Sequence, residues 1–109
     1  MRLAQPSNDL EEISQGYTSA FNIQRTPDWF VLKLQEEVGE LTQSYLMMSR
    51  QARTKKLTEE QLQENFKQEL ADVFCHTLLL AKQYDINLEE QVAQKWLVHK
   101  KPRHSQANV

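Results

Sequence analysis

Apolar residues recur every three or four positions along most of this chain, which is the spacing of an amphipathic α-helix. The clearest stretch would place one apolar face at Phe30, Leu34, Val38, Leu41, Tyr45 and Met48. A later stretch repeats the spacing at Leu62, Phe66, Leu70, Val73, Thr77, Leu80 and Tyr84. An earlier one has Leu10, Ile13, Tyr17, Ala20 and Phe21 on one face. The pattern predicts an all-α protein.

Capping signals divide the chain into four predicted helices, with N-caps at Asp9, Thr26, Thr58 and Asn87. Three of these residues are followed three positions later by Glu or Gln, as in a capping box. After the fourth, Thr26, Pro27 suits the first helical turn. We expect the second helix to run to about Ala52. We expect one domain over 1–109, helical over about 9–101, with a polar tail at 102–109.

Composition and charge exclude several classes of protein. The formal net charge of -2 gives no general attraction to nucleic acid or to an anionic membrane. Cys75 is the one cysteine and cannot form an internal disulfide, which fits a reducing, cytoplasmic environment. The first residues turn acidic before an apolar stretch forms, and no segment reaches roughly 18 apolar residues. Neither a signal peptide nor a membrane span is expected.

Two pairs of carboxylates interrupt the apolar pattern, Glu37 with Glu40 and Glu69 with Asp72. Each pair is spaced i, i+3 and so shares one helical face, where like charges destabilise an isolated helix by roughly 0.2–0.5 kcal/mol per pair. Of these four residues, only Glu37 has a Lys or Arg three or four positions away, namely Lys33. A solvated acidic face is the ordinary explanation for such residues. A bound divalent cation explains their poor neutralisation better.

The geometry of a helical wheel supports convergence of the two pairs. At about 100° per residue, both pairs lie roughly 60° and 120° to one side of the apolar stripe of their helix. Both helices also carry a second, small or apolar face, at Leu32, Gly39, Thr42 and Leu46 and at Ala71, Phe74, Cys75 and Leu78. Helices that are apolar on two sides usually lie between layers. We therefore expect a homo-oligomer whose core is shared between chains.

The candidate ligands are all oxygen donors, because no Cys or His pair lies near the four carboxylates. Such hard ligands suit Mg²⁺, or Mn²⁺, rather than Zn²⁺. Di-iron bundles use Glu-x-x-His motifs, which do not occur in this sequence. Mg²⁺ keeps several waters and often shares its shell with substrate phosphates, so the expected reaction is attack of a water on phosphorus.

Two segments resemble the signature segments of the MazG-like all-α nucleoside triphosphate pyrophosphohydrolases: KLQEEVGEL at Lys33–Leu41 and QELADVFCHTLLLA at Gln68–Ala81. INLEEQVAQKW at Ile86–Trp96 is similar to the closing helix of that family. The resemblance covers about 30–103. It implies a four-helix bundle completed by homo-oligomerisation, as a dimer or a dimer of dimers. It also implies Mg²⁺-dependent hydrolysis of a (deoxy)nucleoside triphosphate to the monophosphate and pyrophosphate, in house-cleaning of the nucleotide pool.

The resemblance gives metal-ligand roles to Glu37, Glu40, Glu69 and Asp72, and Glu36 beside them could orient or deprotonate the attacking water. Candidates for contact with the substrate are Trp29, Lys33, His76, Lys95, His99 and Arg103. The chain departs from the family at the closing helix, where His99 stands at a position that is often Asn. Pro102 also interrupts the basic run there, and base selection therefore stays open.

Two other functions remain. The first is a phosphoribosyl-ATP pyrophosphohydrolase, since that enzyme resembles this superfamily in fold and metal site. The second is a non-catalytic helical module that oligomerises and offers an acidic groove to a partner. Such a module would show no Mg²⁺-dependent release of pyrophosphate.

Overall fold

The structure, a computed structural model, describes residues 2–102 and is all-helical over that range, with four α-helices and no strand. The elements are α1 at Ala4–Ala20, α2 at Pro27–Met48, α3 at Glu59–Gln83, α4 at Leu88–Lys95 and a 3-10 turn at Leu97–His99. The all-α prediction is confirmed. Of the predicted tail, all but Pro102 lies outside the described residues. Within 2–102, no helix combines the length and apolar content needed to cross a bilayer.

Three of the four predicted helix starts are confirmed. At α3 the capping box is complete, because the Gln61 backbone N–H donates to Thr58 Oγ1 at 3.1 Å and Thr58 N–H donates to Gln61 Oε1 at 2.9 Å. At α4 the Glu90 N–H donates to Asn87 Oδ1 at 3.0 Å. α2 begins at Pro27 after an extended Thr26, without a side-chain cap. Local chemistry thus fixes where these helices begin.

The N-cap predicted at Asp9 is wrong, because α1 begins at Ala4 and its N-cap position is Leu3, six residues earlier. Pro6 lies in the first turn, where its missing N–H would have had no partner in any case. The Leu3 N–H donates to Glu89 Oε1 at 2.7 Å, which fastens the start of α1 to the first turn of α4. The start of this helix therefore coincides with a contact distant in sequence.

The first three helices end in the same way. Asn22, Arg50 and Asp85 each have a positive φ, between 53° and 65°, just after α1, α2 and α3. In each case the next residue donates its N–H to the carbonyl five positions earlier at 2.8 Å, which is the Schellman pattern. α2 therefore stops at Met48 rather than at the predicted Ala52. Arg50 lies outside the helix and pairs with Glu59 at 2.6 Å.

The fourth helix is also shorter than the predicted helical region, which extended to about residue 101. α4 ends at Lys95, and the following N–H groups bond at the tighter i−3 spacing, from His99 to Trp96 and from Lys100 to Leu97. Trp96, Leu97 and Val98 are all exposed. The segment packs mainly against the preceding α4, so a stretch of this length has little to maintain α-helical geometry.

α2 and α3 pack against each other along most of their length and run antiparallel, since Trp29 lies beside His76 and Tyr45 beside Phe66. The buried line of α2 is Phe30, Glu37 and Ser44, each seven residues from the next. The observed buried line is therefore rotated around the helix relative to the apolar stripe predicted for α2, and Val38 and Tyr45 of that stripe are exposed. The buried line of α2 therefore includes Glu37, which was predicted to lie to one side of the apolar stripe.

Large apolar side chains remain exposed on the outer faces of three helices, with exposed fractions of 67% for Ile13, 66% for Leu32 and 52% for Phe74. α1 buries Thr18 instead of the predicted apolar face. It is tethered to the segment before α2 by an ion pair of 2.7 Å between Arg25 and Glu11. The described chain therefore leaves much of its apolar surface without a partner.

Candidate metal centre

Five carboxylates, which we call the acidic cluster, meet in the middle of the α2–α3 contact: Glu36, Glu37, Glu40, Glu69 and Asp72. One oxygen from each of Glu37, Glu69 and Asp72 can be chosen so that all three lie within 4.8 Å of one another. The same holds for Glu36, Glu37 and Glu40. Glu37 belongs to both groups and so connects the two helices' acidic residues. The structure therefore brings the two predicted pairs to one place.

Burial and mutual repulsion raise the pKa of two of these groups. Glu37 is only 7% exposed, and burial, followed by the charge of Glu40, raises the pKa of its carboxyl. The pKa of Glu69 rises to about 7, chiefly through burial and then through a hydrogen bond with Asp72 and the charge of Glu40. Both groups resist ionisation in the absence of a cation. A divalent cation would favour their charged forms.

Lys33 is the nearest positive charge to this cluster on α2. Its Nζ lies 2.6 Å from Glu36 Oε1 and 3.7 Å from Glu37 Oε2. The hydrogen bond to Lys33 lowers the pKa of Glu36, whereas the same bond raises the pKa of Lys33. Glu36 is therefore held ionised and is a weak proton acceptor near neutral pH. The arrangement favours an orienting role for Glu36 over that of a general base.

Trp29 and His76 lie at the end of the α2–α3 contact that is close to Lys33. Their ring centroids are 6.3 Å apart in an edge-on arrangement. Burial, and then the positive charge of Lys33, lowers the pKa of His76. The imidazole is therefore neutral at pH 7, where it can donate or accept a hydrogen bond but carries no charge. Both predicted substrate contacts are thus close to the acidic cluster.

The predicted contacts at the C-terminal end are not brought to the cluster within the described chain. Lys95 ends α4 and His99 ends the 3-10 turn, and both are exposed. α4 packs mainly against the turn that follows it rather than against α2. No hydrogen bond or ion pair within 2–102 joins either residue to the acidic cluster. Arg103 lies outside the described residues.

Residues that the motifs did not indicate adjoin the cluster on its other side. A groove of about 270 Å³ shares Glu40 and Glu69 with it. The remaining lining residues are Gln43, Ser44, Met47, Leu62, Asn65 and Gln68. The sequence feature that could have indicated some of these residues is the seven-residue spacing from Glu37 to Ser44 and from Leu62 to Glu69. It places these residues on the same line of each helix.

Comparisons of the chain with known protein families, with curated proteins and with solved structures found no match. The family relationship therefore stays a prediction that rests on the motifs. The chemistry of the cluster does not depend on that relationship. Converging carboxylates beside a neutral imidazole and a lysine can hold a hard cation and, next to it, a phosphate-bearing ligand.

Proposed function

We propose that this protein is a MazG-like, Mg²⁺-dependent nucleoside triphosphate pyrophosphohydrolase. One observation carries the proposal: oxygens of Glu37, Glu69 and Asp72, from two different helices, lie within 4.8 Å of one another. Carboxylates avoid one another unless a positive charge compensates them. Lys33 reaches Glu37 at 3.7 Å, and no ion pair within 2–102 involves Glu69 or Asp72.

The donor set fits Mg²⁺, with Mn²⁺ as the alternative. All candidate ligands are carboxylates, and Glu37 is buried where water cannot fully solvate its charge. Glu37, Glu40, Glu69 and Asp72 would hold the cation. When bound, Mg²⁺ would neutralise phosphate oxygens and make a water more acidic.

The residues around the cluster divide the remaining tasks. Glu36, held by Lys33 at 2.6 Å, would accept a hydrogen bond from the attacking water and so orient it. Lys33 and the neutral His76 can donate hydrogen bonds to phosphate oxygens. In the overall reaction, water adds to phosphorus and the anhydride bond between the α- and β-phosphates breaks. The products are the nucleoside monophosphate and pyrophosphate.

The proposal includes a homodimer or a dimer of dimers. The radius of gyration is 18.1 Å, whereas a compact domain of this length has about 13 Å. A Cβ at Gly39 would meet nothing within 4 Å, so packing within the chain does not account for that glycine. A second copy against the outer faces that carry Leu32 and Phe74 would cover them and would bring a helix close to Gly39.

The proposal also includes substrate contacts that rest on the resemblance alone, at Lys95, His99 and Arg103. The house-cleaning role and the cytoplasmic location rest on the sequence alone. Trp29 enters on its position close to His76. Such contacts could come from a second copy of the chain.

The test is release of pyrophosphate from a panel of canonical and modified nucleoside triphosphates, with and without Mg²⁺. The panel includes phosphoribosyl-ATP, which separates the related activity. Asp72→Asn and Glu69→Gln should reduce turnover by roughly 100-fold or more, since even residues that only orient metal ligands contribute 10–100-fold. Glu64→Gln, an exposed residue of α3 outside the cluster, is the matched control. Wild-type turnover in both cluster variants would refute the proposal, and a wild type inactive on every substrate would favour the interaction module.

A further inference from the structure

The groove beside the acidic cluster has a different chemistry from the cluster itself. It begins at Glu40 and Glu69 and continues toward the loop between α2 and α3. Its volume of about 270 Å³ is near the lower limit of small-molecule sites, so it suits one ring system rather than a whole nucleotide. The walls carry the carboxamides of Gln43, Asn65 and Gln68.

Beyond its acidic end, the groove is lined only by neutral side chains. Carboxamides both donate and accept hydrogen bonds, so they match a ligand group with donors and acceptors side by side. Met47 and Leu62 supply apolar contact area. A phosphate would find no cation here, whereas Lys33 lies at the opposite end of the cluster. The groove therefore suits an uncharged, planar, polar ring, and enzymes read nucleobases with such hydrogen bonds and apolar contacts.

The hydroxyl of Ser44 gives an independent indication that something binds in this groove. Ser44 is 8% exposed, and its Oγ is buried without a hydrogen-bond partner. The other Ser and Thr hydroxyls within α2 and α3 donate to the carbonyl four residues earlier: Thr42 at 3.0 Å and Thr77 at 2.8 Å. Ser44 makes no such bond. A buried hydroxyl without a partner costs free energy that a ligand's polar group would recover.

We propose that this groove receives the nucleobase, so that the substrate lies along α2 and α3 with its phosphates over the cluster and toward Lys33. Asn65 and Gln68 are then specificity-determining residues, together with Gln43 and Ser44. The inference rests on the proposed function for its substrate class. It places the base at the opposite end of the cluster from Trp29, which consequently does not stack on it.

Binding of nucleosides tests the inference without hydrolysis or metal. Wild-type protein is titrated with adenosine, cytidine, guanosine and uridine, and with ribose 5-phosphate as the baseless control. The side-chain NH₂ signals of Gln43, Asn65 and Gln68 are followed by ¹⁵N NMR. At least one nucleoside should shift these signals and ribose 5-phosphate should not. If no nucleoside shifts them, the inference is overturned, whatever the protein hydrolyses.

Kinetics of variants test selection among bases. Asn65→Ala and Gln68→Ala should each lower kcat/KM for the preferred triphosphate by roughly tenfold and lower it less for the other triphosphates, so that bases are discriminated less well. Gln63→Ala, an exposed amide of α3 bonded to Glu59, is the matched control. Equal losses on every triphosphate, or no loss on any of them, would overturn the base site while leaving the proposed hydrolase standing.

Ser44→Ala gives a readout that a merely structural role would not produce. Removing a buried hydroxyl without a partner should raise the midpoint of thermal unfolding, and nucleoside binding should nevertheless weaken by roughly tenfold. A variant that is more stable and binds nucleosides as tightly as wild type would contradict the role given to Ser44. A protein that binds nucleosides in the groove but hydrolyses no triphosphate would instead refute the proposed function alone.

Discussion

The α2–α3 pair and the two terminal helices are built in opposite ways. α2 and α3 pack along most of their length and contain most of the buried apolar residues, including Phe30 and Leu62. α1 packs mainly against α3, and the segment after α4 exposes three consecutive large apolar residues. The acidic cluster lies in the well-packed part. One chain can therefore fix the geometry of the candidate metal centre even though it leaves much of its apolar surface open.

Polar residues occupy some of the buried positions in the contact between α2 and α3. Glu37 and Ser44 lie on the same buried line as Phe30, and Glu69 lies on the line of Leu62. Apolar residues there would make a more stable pair of helices, because buried polar groups without full compensation cost free energy. Such a choice is typical of sites where a protein gives up stability for function.

The largest effect should come from the core of the α2–α3 pair. Leu62 is 1% exposed, and Leu62→Ala should lower the free energy of unfolding by about 2–5 kcal/mol. Leu97→Ala, in the exposed 3-10 turn, should change it by less than about 0.5 kcal/mol. Urea unfolding followed by circular dichroism measures both. Equal losses would show that the terminal segment is packed as firmly as the central pair.

The tether of α1 should come next. Glu11→Gln leaves the guanidinium of Arg25 largely buried without its ion pair, although still 4.8 Å from the ring of Phe30. We expect a loss of about 1–3 kcal/mol in the free energy of unfolding. Glu59→Gln breaks the exposed pair with Arg50 and should cost less than about 1 kcal/mol. A larger loss for Glu59→Gln would mean that the Arg50–Glu59 pair stabilises the fold more than the Arg25–Glu11 pair does.

A smaller effect is expected on association. If the outer faces of α2 and α3 meet a second copy, Phe74→Glu should weaken self-association by roughly tenfold or more, since it puts a charge into an apolar contact. Light scattering across a dilution series gives the mass. Gln63→Glu adds the same charge elsewhere on α3 and should leave the mass unchanged. If Phe74→Glu also has no effect, those faces are not the contact.

The last effect concerns pH, and it should be small because Glu69 is partly exposed and solvent screens its charge. The pKa of Glu69 is about 7 in the folded chain, against an ordinary value of 4.5 for a glutamate carboxyl. A raised carboxyl pKa stabilises the fold fully below about pH 4.5, and this contribution is lost as pH rises through about 7. Metal-free wild type should therefore lose stability relative to Glu69→Gln between pH 5 and 8, and Mg²⁺ should reverse the loss at pH 8. A difference that is constant with pH would contradict the raised pKa.

Local chemistry made much of the fold predictable. The starts of α3 and α4 follow from Thr58 with Gln61 and from Asn87 with Glu90, whose bonds lie within one turn. The start of α1 was not predictable in this way, because Leu3 at its N-cap makes no side-chain cap and its N–H instead bonds to Glu89, 86 residues away. The end of α2 depends on a left-handed Arg50, a conformation that sequence rarely reveals for a residue other than glycine.

The candidate site shows the same division. The i, i+3 spacing indicated that the two carboxylate pairs could share one groove, and the structure places them together. The spacing did not show that Glu37 lies in the buried contact itself, because packing between helices decides which line faces inward. Ser44 and the amides were missed for the same reason. Their significance depends on a groove that forms only when α2 and α3 are paired.

Direct titration with Mn²⁺, followed by electron paramagnetic resonance, tests most directly whether carboxylates of α2 and α3 share one divalent cation. Wild type should bind Mn²⁺ competitively with Mg²⁺. Glu37→Gln on α2 and Asp72→Asn on α3 should each weaken binding by roughly tenfold or more, because each removes a ligand from the same ion. Glu64→Gln should bind as wild type does. Wild-type affinity for Mn²⁺ in both Glu37→Gln and Asp72→Asn would contradict the shared site.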